Sequence, residues 1–243
     1  MKIGLVVPTA EDRVPAEGAI MYPDVTFIPK GTGVGSLTPE GYDKAAVKIV
    51  PAAETLAARG DLDAVMLFGT SLTFYRGPQF NEDLQAEVRK RTGLPVSSMS
   101  TAIVDGLRAV GAKRVAVTTA YSKVVNDKLI ELLQFHGFTV DSLCCFGITE
   151  FGGAVSAKTE AEIIDLAGQS RKEAPRADAM VISCGGLRTL GVTKPLEDKH
   201  GLPVVSSTPA SFWAAVRLAG HSGKVSGYGS LLEGRSVNAA AAK

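Results

Sequence analysis

The chain has 243 residues, 45% hydrophobic and 21% charged, a composition that excludes a disordered polymer and suits one domain or two halves of about 110–120 residues. Its 26 basic and 25 acidic residues leave a net charge of +1, without the basic excess of a nucleic-acid binder. No apolar run approaches the roughly 18–20 residues of a membrane span.

Met1 to Pro8 is too short for a secretory leader and reads as a first strand over Ile3–Val7. Thr38-Pro39-Glu40 carries the signals of a helix start, and that helix is predicted to run toward Arg59, with a kink or break at Pro51. A buried strand follows at Ala64–Phe68, then a helix from Asn81 to Arg91 whose basic end suits the helix dipole. Next come a short strand at Pro95–Ser98, a helix from Thr101 to Val110, a strand at Arg114–Thr119 and a helix from Ser122 to Phe135. A strand is predicted at Thr139–Cys145. The capping box at Thr159 and Glu162 opens a helix to about Glu173. Strands at Ala179–Ser183 and Val204–Ser206 and a helix at Pro209–Leu218 complete the pattern. Phe212 and Trp213 of that last helix are expected in the core.

The chain also repeats itself at a spacing of about 110 residues. Gly93-Leu94-Pro95-Val96 recurs as Gly201-Leu202-Pro203-Val204. Ser97-Ser98 followed by Leu107-Arg108-Ala109-Val110-Gly111 recurs as Ser206-Ser207 followed by Val216-Arg217-Leu218-Ala219-Gly220. Met66-Leu67-Phe68-Gly69 aligns with Val181-Ile182-Ser183-Cys184. Alternating strands and helices, duplicated, predict an α/β fold of two pseudo-symmetric, doubly wound parallel-sheet (Rossmann-like) halves. The site is expected in the cleft between them, where the strand ends meet. Residues 1–111, joined by a returning segment at about 208–229, form the first half, 112–207 the second, and 230–243 a disordered tail.

Cys184 is the sharpest chemical signal. It follows an apolar strand and precedes Gly185-Gly186, whose backbone N–H groups can form an anion-binding nest. A thiol beside a bound carboxylate can move a proton at carbon; a buried structural cysteine is the other reading. Gly69-Thr70-Ser71 is the counterpart in the first half, a second anion-binding turn or simply a helix cap. Tyr121 ends a strand, where its phenol can either serve the same oxyanion or pack structurally. Gly31-Thr32-Gly33-Val34-Gly35 resembles a phosphate loop out of context and is expected to be a mobile loop over the cleft. Cys144 and Cys145 are assigned to a strand. Three cysteines without a C-x-x-C, and the scattered His136, His200 and His221, predict neither a disulfide framework nor a metal site, in keeping with a reducing cytoplasm.

Longer strings then become specific. They include Val14-Pro15-Ala16-Glu17-Gly18, Gly35-Ser36-Leu37-Thr38-Pro39-Glu40-Gly41-Tyr42-Asp43, Gly69-Thr70-Ser71-Leu72-Thr73-Phe74-Tyr75-Arg76-Gly77 and Ser183-Cys184-Gly185-Gly186-Leu187. Over about residues 2–229 the sequence resembles the aspartate/glutamate racemase superfamily, whose duplicated members carry one cysteine in each half. Here the second cysteine is Cys184 and the first position is Gly69. That combination is similar to the superfamily's arylmalonate decarboxylase branch. The resemblance implies cofactor-free loss of carbon dioxide from a disubstituted malonate, with Cys184 protonating one face of an enediolate. It implies oxyanion contacts from Thr70, Ser71, Tyr121 and Gly185. It also implies an apolar pocket from Pro8, Val34, Leu37, Tyr42, Leu72, Phe151 and Ala154. Thr9 stands where the branch has a second proline, Phe151 is bulkier than usual and Ala154 smaller, so the resemblance fixes neither the size nor the aryl character of the substrate side chain. The alternatives are a cysteine-dependent isomerase or racemase, with Tyr121 or a water near Gly69 as partner, and a non-catalytic carboxylate-binding protein. The expected partner is a small dicarboxylate and the expected state a monomer, with no nucleic acid and no membrane.

Overall fold

A computed structural model describes residues 1–236. The first half runs β1 (Lys2–Val7), α1 (Ala16–Met21), β2 (Thr26–Gly31), α2 (Pro39–Ala46), α3 (Ile49–Ala57), β3 (Ala64–Leu67), α4 (Thr70–Phe74), α5 (Pro78–Thr92), β4 (Val96–Ser98) and α6 (Met99–Ala109). The second runs β5 (Arg114–Tyr121), α7 (Lys123–Phe135), β6 (Thr139–Ile148), α8 (Gly153–Ser156), α9 (Glu160–Glu173), β7 (Ala179–Ser183), α10 (Thr193–His200) and β8 (Val204–Ser206). Helices α11 (Ser207–Leu218) and α12 (Ser230–Glu233) follow.

Each half holds one four-stranded parallel sheet, ordered β2-β1-β3-β4 and β6-β5-β7-β8. The two orders are the same path taken twice, as the internal repeat predicts. The central strands are covered on both faces, so they are continuous apolar runs: β3 and β7 are buried at every position. All their C-terminal ends point toward the space between the halves. Helix α11 follows the second sheet in sequence but packs on α6, β3 and β4 of the first as well as on β8.

The helix predicted from Thr38 to Arg59 is two helices. Thr38 caps α2 by accepting from the Gly41 N–H at 3.3 Å. The break falls at Val47–Lys48, ahead of Pro51. Pro51 lies in the first turn of α3, where a proline removes no intrahelical hydrogen bond. Helices α1, α4, α8 and α10 and strand β2 are not among the elements predicted from the sequence. The stretch from 230, expected to be disordered, begins instead with α12, whose Leu231 and Leu232 are buried. The remainder of that expected tail, 237–243, lies outside the described residues.

Loops from the two halves meet over the cleft. The Leu37 N–H donates to the Thr149 carbonyl at 2.9 Å, and Ser36 and Glu150 form an antiparallel bridge. The segment expected to be a mobile loop is tied down: Thr32, Gly33 and Val34 donate their N–H groups to the carbonyls of Val7, Thr9 and Pro8 at 2.9, 3.0 and 2.7 Å. This extends the β1–β2 pairing and carries Val34 and Leu37 to the mouth of the cleft.

Candidate active site

A cavity of about 130 Å³ opens where the strand ends converge. From the first half it is lined by Pro8 and Thr9 after β1, Val34, Leu37 and Tyr42 from the loop and α2, and Gly69, Thr70, Ser71 and Leu72 at the start of α4. From the second it is lined by Tyr121, Phe151, Cys184, Gly185 and Gly186. Thirteen of the fourteen residues singled out from the sequence therefore surround one space.

Ala154 is the exception. It is exposed on α8 and does not line the cavity; its neighbour Val155 is buried and packs against Gly186. One residue shifts the side chain about 100° around a helix, and α8 has only one turn with no apolar period to fix its phase. Cys144 and Cys145 lie on edge strand β6 away from the cavity, the first half-buried beside Glu173, the second exposed.

Gly69 and Cys184 occupy equivalent places after β3 and β7, and both have positive φ, 103° and 155°. Cys184 is the one non-glycine residue with positive φ among the described residues. The turn it opens closes through the Leu187 N–H donating to the Cys184 carbonyl at 3.1 Å. A Cβ on Gly185 would come within 3.0 Å of Met99 Cε, and one on Gly186 within 2.9 Å of Val155 Cγ1. A side chain at either position would have to displace its neighbour, and glycine keeps the backbone open to a ligand.

The Cys184 side chain is buried, and burial pushes its thiol from near 9 up to about 11. The N–H groups of Gly186 and Leu187 and the Tyr121 hydroxyl pull the other way without overcoming it. The nest that would favour a thiolate thus loses to desolvation, and the thiol keeps its proton at neutral pH even without a bound dianion. Burial likewise raises Tyr121 well above the ordinary tyrosine value, with the Cys184 charge adding to the rise. Its hydroxyl lies 3.4 Å from Ser183 Oγ.

Tyr42 departs from its assignment to an apolar wall. Its ring is buried, but its hydroxyl, though near that of Ser71, makes no well-formed hydrogen bond among the described residues. Burial raises its pKa, and the nearby Ser71 hydroxyl only moderates that rise. An unpaired buried hydroxyl costs about 1–3 kcal/mol, which a ligand oxygen would offset. Arg13, exposed at the mouth, is the one charged residue lining the cavity among the described residues, and no carboxylate does.

Met99 and Ser207 are further site residues that sequence reasoning missed. Met99 Sδ accepts from the Gly69 N–H at 2.9 Å and lies under Thr70 and Gly185. A methionine at a helix start looks like any core residue. The doubled Ser-Ser before each helix was the available signal for Ser207.

Duplicated halves with one thiol in the cleft between two glycine-containing turns define the class: a cleft enzyme of the duplicated α/β type. The family model for arylmalonate decarboxylase matches residues 3–232, and the chain belongs to that family. It is 45% identical to arylmalonate decarboxylase of Bordetella bronchiseptica, over 95% of this chain and 96% of the relative. The structure of a liganded double mutant of arylmalonate decarboxylase superposes with a TM-score of 0.93 at 44% identity, covering 96% of this chain and 98% of that one. Maleate isomerase of Geobacillus stearothermophilus is more distant, at 24% identity over 96% of this chain and 98% of the relative. The structure of a Pseudomonas putida maleate isomerase with maleate shares the fold, with a TM-score of 0.89 at 22% identity over 96% of this chain and 97% of that one.

Proposed function

We propose that the protein decarboxylates disubstituted arylmalonates without a cofactor and protonates the product on one face through Cys184. The observation that carries this reading is the buried Cys184 thiol lining one cavity with a glycine, Gly69, at the equivalent first-half position.

The retained carboxylate would sit on the turn at Thr70–Ser71, with donors from the first N–H groups of α4, which have no intrahelical partner, and from the Ser71 hydroxyl. Gly185 N–H and Tyr121 would complete the set. Breaking the bond to the other carboxylate releases carbon dioxide and leaves the electron pair delocalised into the retained carboxylate as an enediolate. Donors aimed at those oxygens favour this state over the ground state, at roughly 2.7–4 kcal/mol for one well-placed donor. The leaving carboxylate would face Pro8, Val34, Leu37 and Leu72, where apolar walls disfavour the anion and tolerate neutral carbon dioxide. Cys184 Sγ–H then gives its proton to the carbon, leaving a thiolate that solvent reprotonates. Gly69 offers no proton to the opposite face, so one enantiomer forms, and the same absence disfavours a two-thiol isomerase mechanism. Both faces of the cleft belong to one chain, which suits a monomer, and three free thiols suit a reducing cytoplasm.

The test follows carbon dioxide release from phenylmalonate and methylphenylmalonate in the presence of a chelator, beside Cys184→Ala. Turnover by the native protein, a single enantiomer from the methylated substrate, and a loss of about 10²–10⁴-fold in the variant are expected. Racemic product, or equal turnover by the variant, would remove the thiol's role. Deuterium exchange at the α-carbon of a carboxylate without carbon dioxide release would favour the isomerase.

A further inference from the structure

The two turns facing the cavity come from different halves of the chain, and one buried hydroxyl bonds to both. Ser207, the first residue of α11, is fully buried and does not line the cavity. Its Oγ accepts from the Thr70 hydroxyl at 3.1 Å and from the Cys184 N–H at 3.2 Å, and it donates to the Ile182 carbonyl at 3.4 Å. A serine hydroxyl has one proton and two acceptor lone pairs, so all three are used. The Tyr121 hydroxyl, which lines the cavity, also stands within hydrogen-bonding reach of Thr70 and Cys184, whereas Ser207 bridges the two turns from behind. The contact of the Thr70 hydroxyl with Ser207 Oγ favours one rotamer of Thr70. The Cys184 N–H is anchored at the point where β7 leaves the sheet.

We propose that Ser207 is a positioning residue that sets the spacing between the carboxylate-binding turn at Gly69–Ser71 and the Cys184 thiol. It rests on the assignment of Cys184 as proton donor given above and extends it to a residue that never meets the substrate. The carboxylate-binding turn at Gly69–Ser71 belongs to one half and the thiol that delivers the proton to the other. The carbon to be protonated is therefore in reach of Sγ only while the halves keep their relative position. A misplacement of about 1 Å at such a centre can cost about 10²-fold in rate. A residue acting this way changes kcat more than KM, because the carboxylate contacts themselves survive.

Ser207→Ala is expected to lower kcat at least tenfold with KM within threefold. Thr70→Val removes the hydroxyl that Ser207 orients, so the double variant should be no worse than the poorer single variant by more than threefold. Ser211→Ala is the control. Ser211 is fully buried on the same helix and bonds only to the Ser207 carbonyl, at 2.7 Å, so kcat should stay within twofold whatever the melting temperature does. A second readout needs no decarboxylation. Bromoacetate and bromoacetamide both alkylate Cys184, the thiolate sulfur forming the S–C bond as bromide leaves, but only the first has a carboxylate for the turn. The native protein should favour bromoacetate, and Ser207→Ala should cut that preference at least fivefold. If the native protein shows the preference but releases no carbon dioxide, the decarboxylase reading fails and the Ser207 test still stands. Native kcat and native alkylation preference in Ser207→Ala, an equal kcat loss in Ser211→Ala, or multiplying effects in the double variant would overturn the proposal.

Discussion

At the residue scale the chemistry turns on how burial treats two groups. Cys184 is raised to about 11 by desolvation, so the folded protein holds that proton more tightly than the unfolded chain. The sign follows: the stability tied to this thiol is complete below pH 9 and is lost as pH rises toward 11, amounting to about 3 kcal/mol. Alkylation of Cys184 by iodoacetamide in the ligand-free protein, followed by peptide mass spectrometry, should rise with an inflection near pH 11. An inflection below 8 would mean the nest outweighs burial. Tyr42 makes the complementary case. Its hydroxyl makes no well-formed hydrogen bond among the described residues, so Tyr42→Phe should leave the melting temperature unchanged or slightly raised. If the hydroxyl meets the substrate, the same change should lower kcat/KM about tenfold. A lowered melting temperature with unchanged kinetics would make it a packing residue. Cys184 and the glycines beside it were legible because a thiol followed by two glycines marks a strand end, and the resemblance then told it from a structural cysteine. The Tyr42 hydroxyl was not, because sequence shows a residue's type and not whether its polar atom finds a partner.

At the element scale the central strands and capped helices were legible, and the edges were not. Strand β2 contains Pro29 and is only partly buried, so it carries neither a continuous apolar run nor clean alternation; a proline is tolerated there because β2 is an edge. Helix α10 begins Thr193-Lys194-Pro195 and is mostly charged, which hid its buried face at Leu196 and Glu197. That glutamate holds the C-terminal segment in place. Its carboxylate accepts from the Val204 N–H at 2.9 Å and from the Ser230 N–H and hydroxyl at 2.8 and 2.9 Å, tying α12 to β8. Glu197→Ala leaves three donors without their acceptor and should destabilise the fold by about 2–4 kcal/mol. Glu197→Gln keeps one acceptor oxygen and should cost less. Thermal denaturation of both variants checks the order. A loss below about 1 kcal/mol for alanine would mean that water replaces the carboxylate and that α12 is held by Leu231 and Leu232 alone.

At the scale of the whole molecule, the repeat in the sequence foretold two like halves, and Gly-Leu-Pro-Val occurring twice was its clearest sign. What no repeat discloses is how the halves hold each other. The bridge of Ser36 with Glu150 joins the loops after β2 and β6, which are equivalent in topology but unlike in sequence, and α11 crosses back because of packing that only the folded chain defines. Trp213, the single tryptophan, is buried on α11, with the Arg217 guanidinium 4.8 Å from its ring centre. Since α11 packs on α6, β3, β4 and β8, its environment depends on both sheets being formed. Tryptophan fluorescence and far-ultraviolet ellipticity should therefore follow one urea transition with the same midpoint and slope. A carboxylate ligand bound in the cleft contacts both halves, so it should shift both curves together. Were the halves independent, ellipticity would fall in two steps and fluorescence would track only the one containing α11. A ligand would then move the curves unequally, and α11 would be an appendage of the first half rather than the element that joins the two.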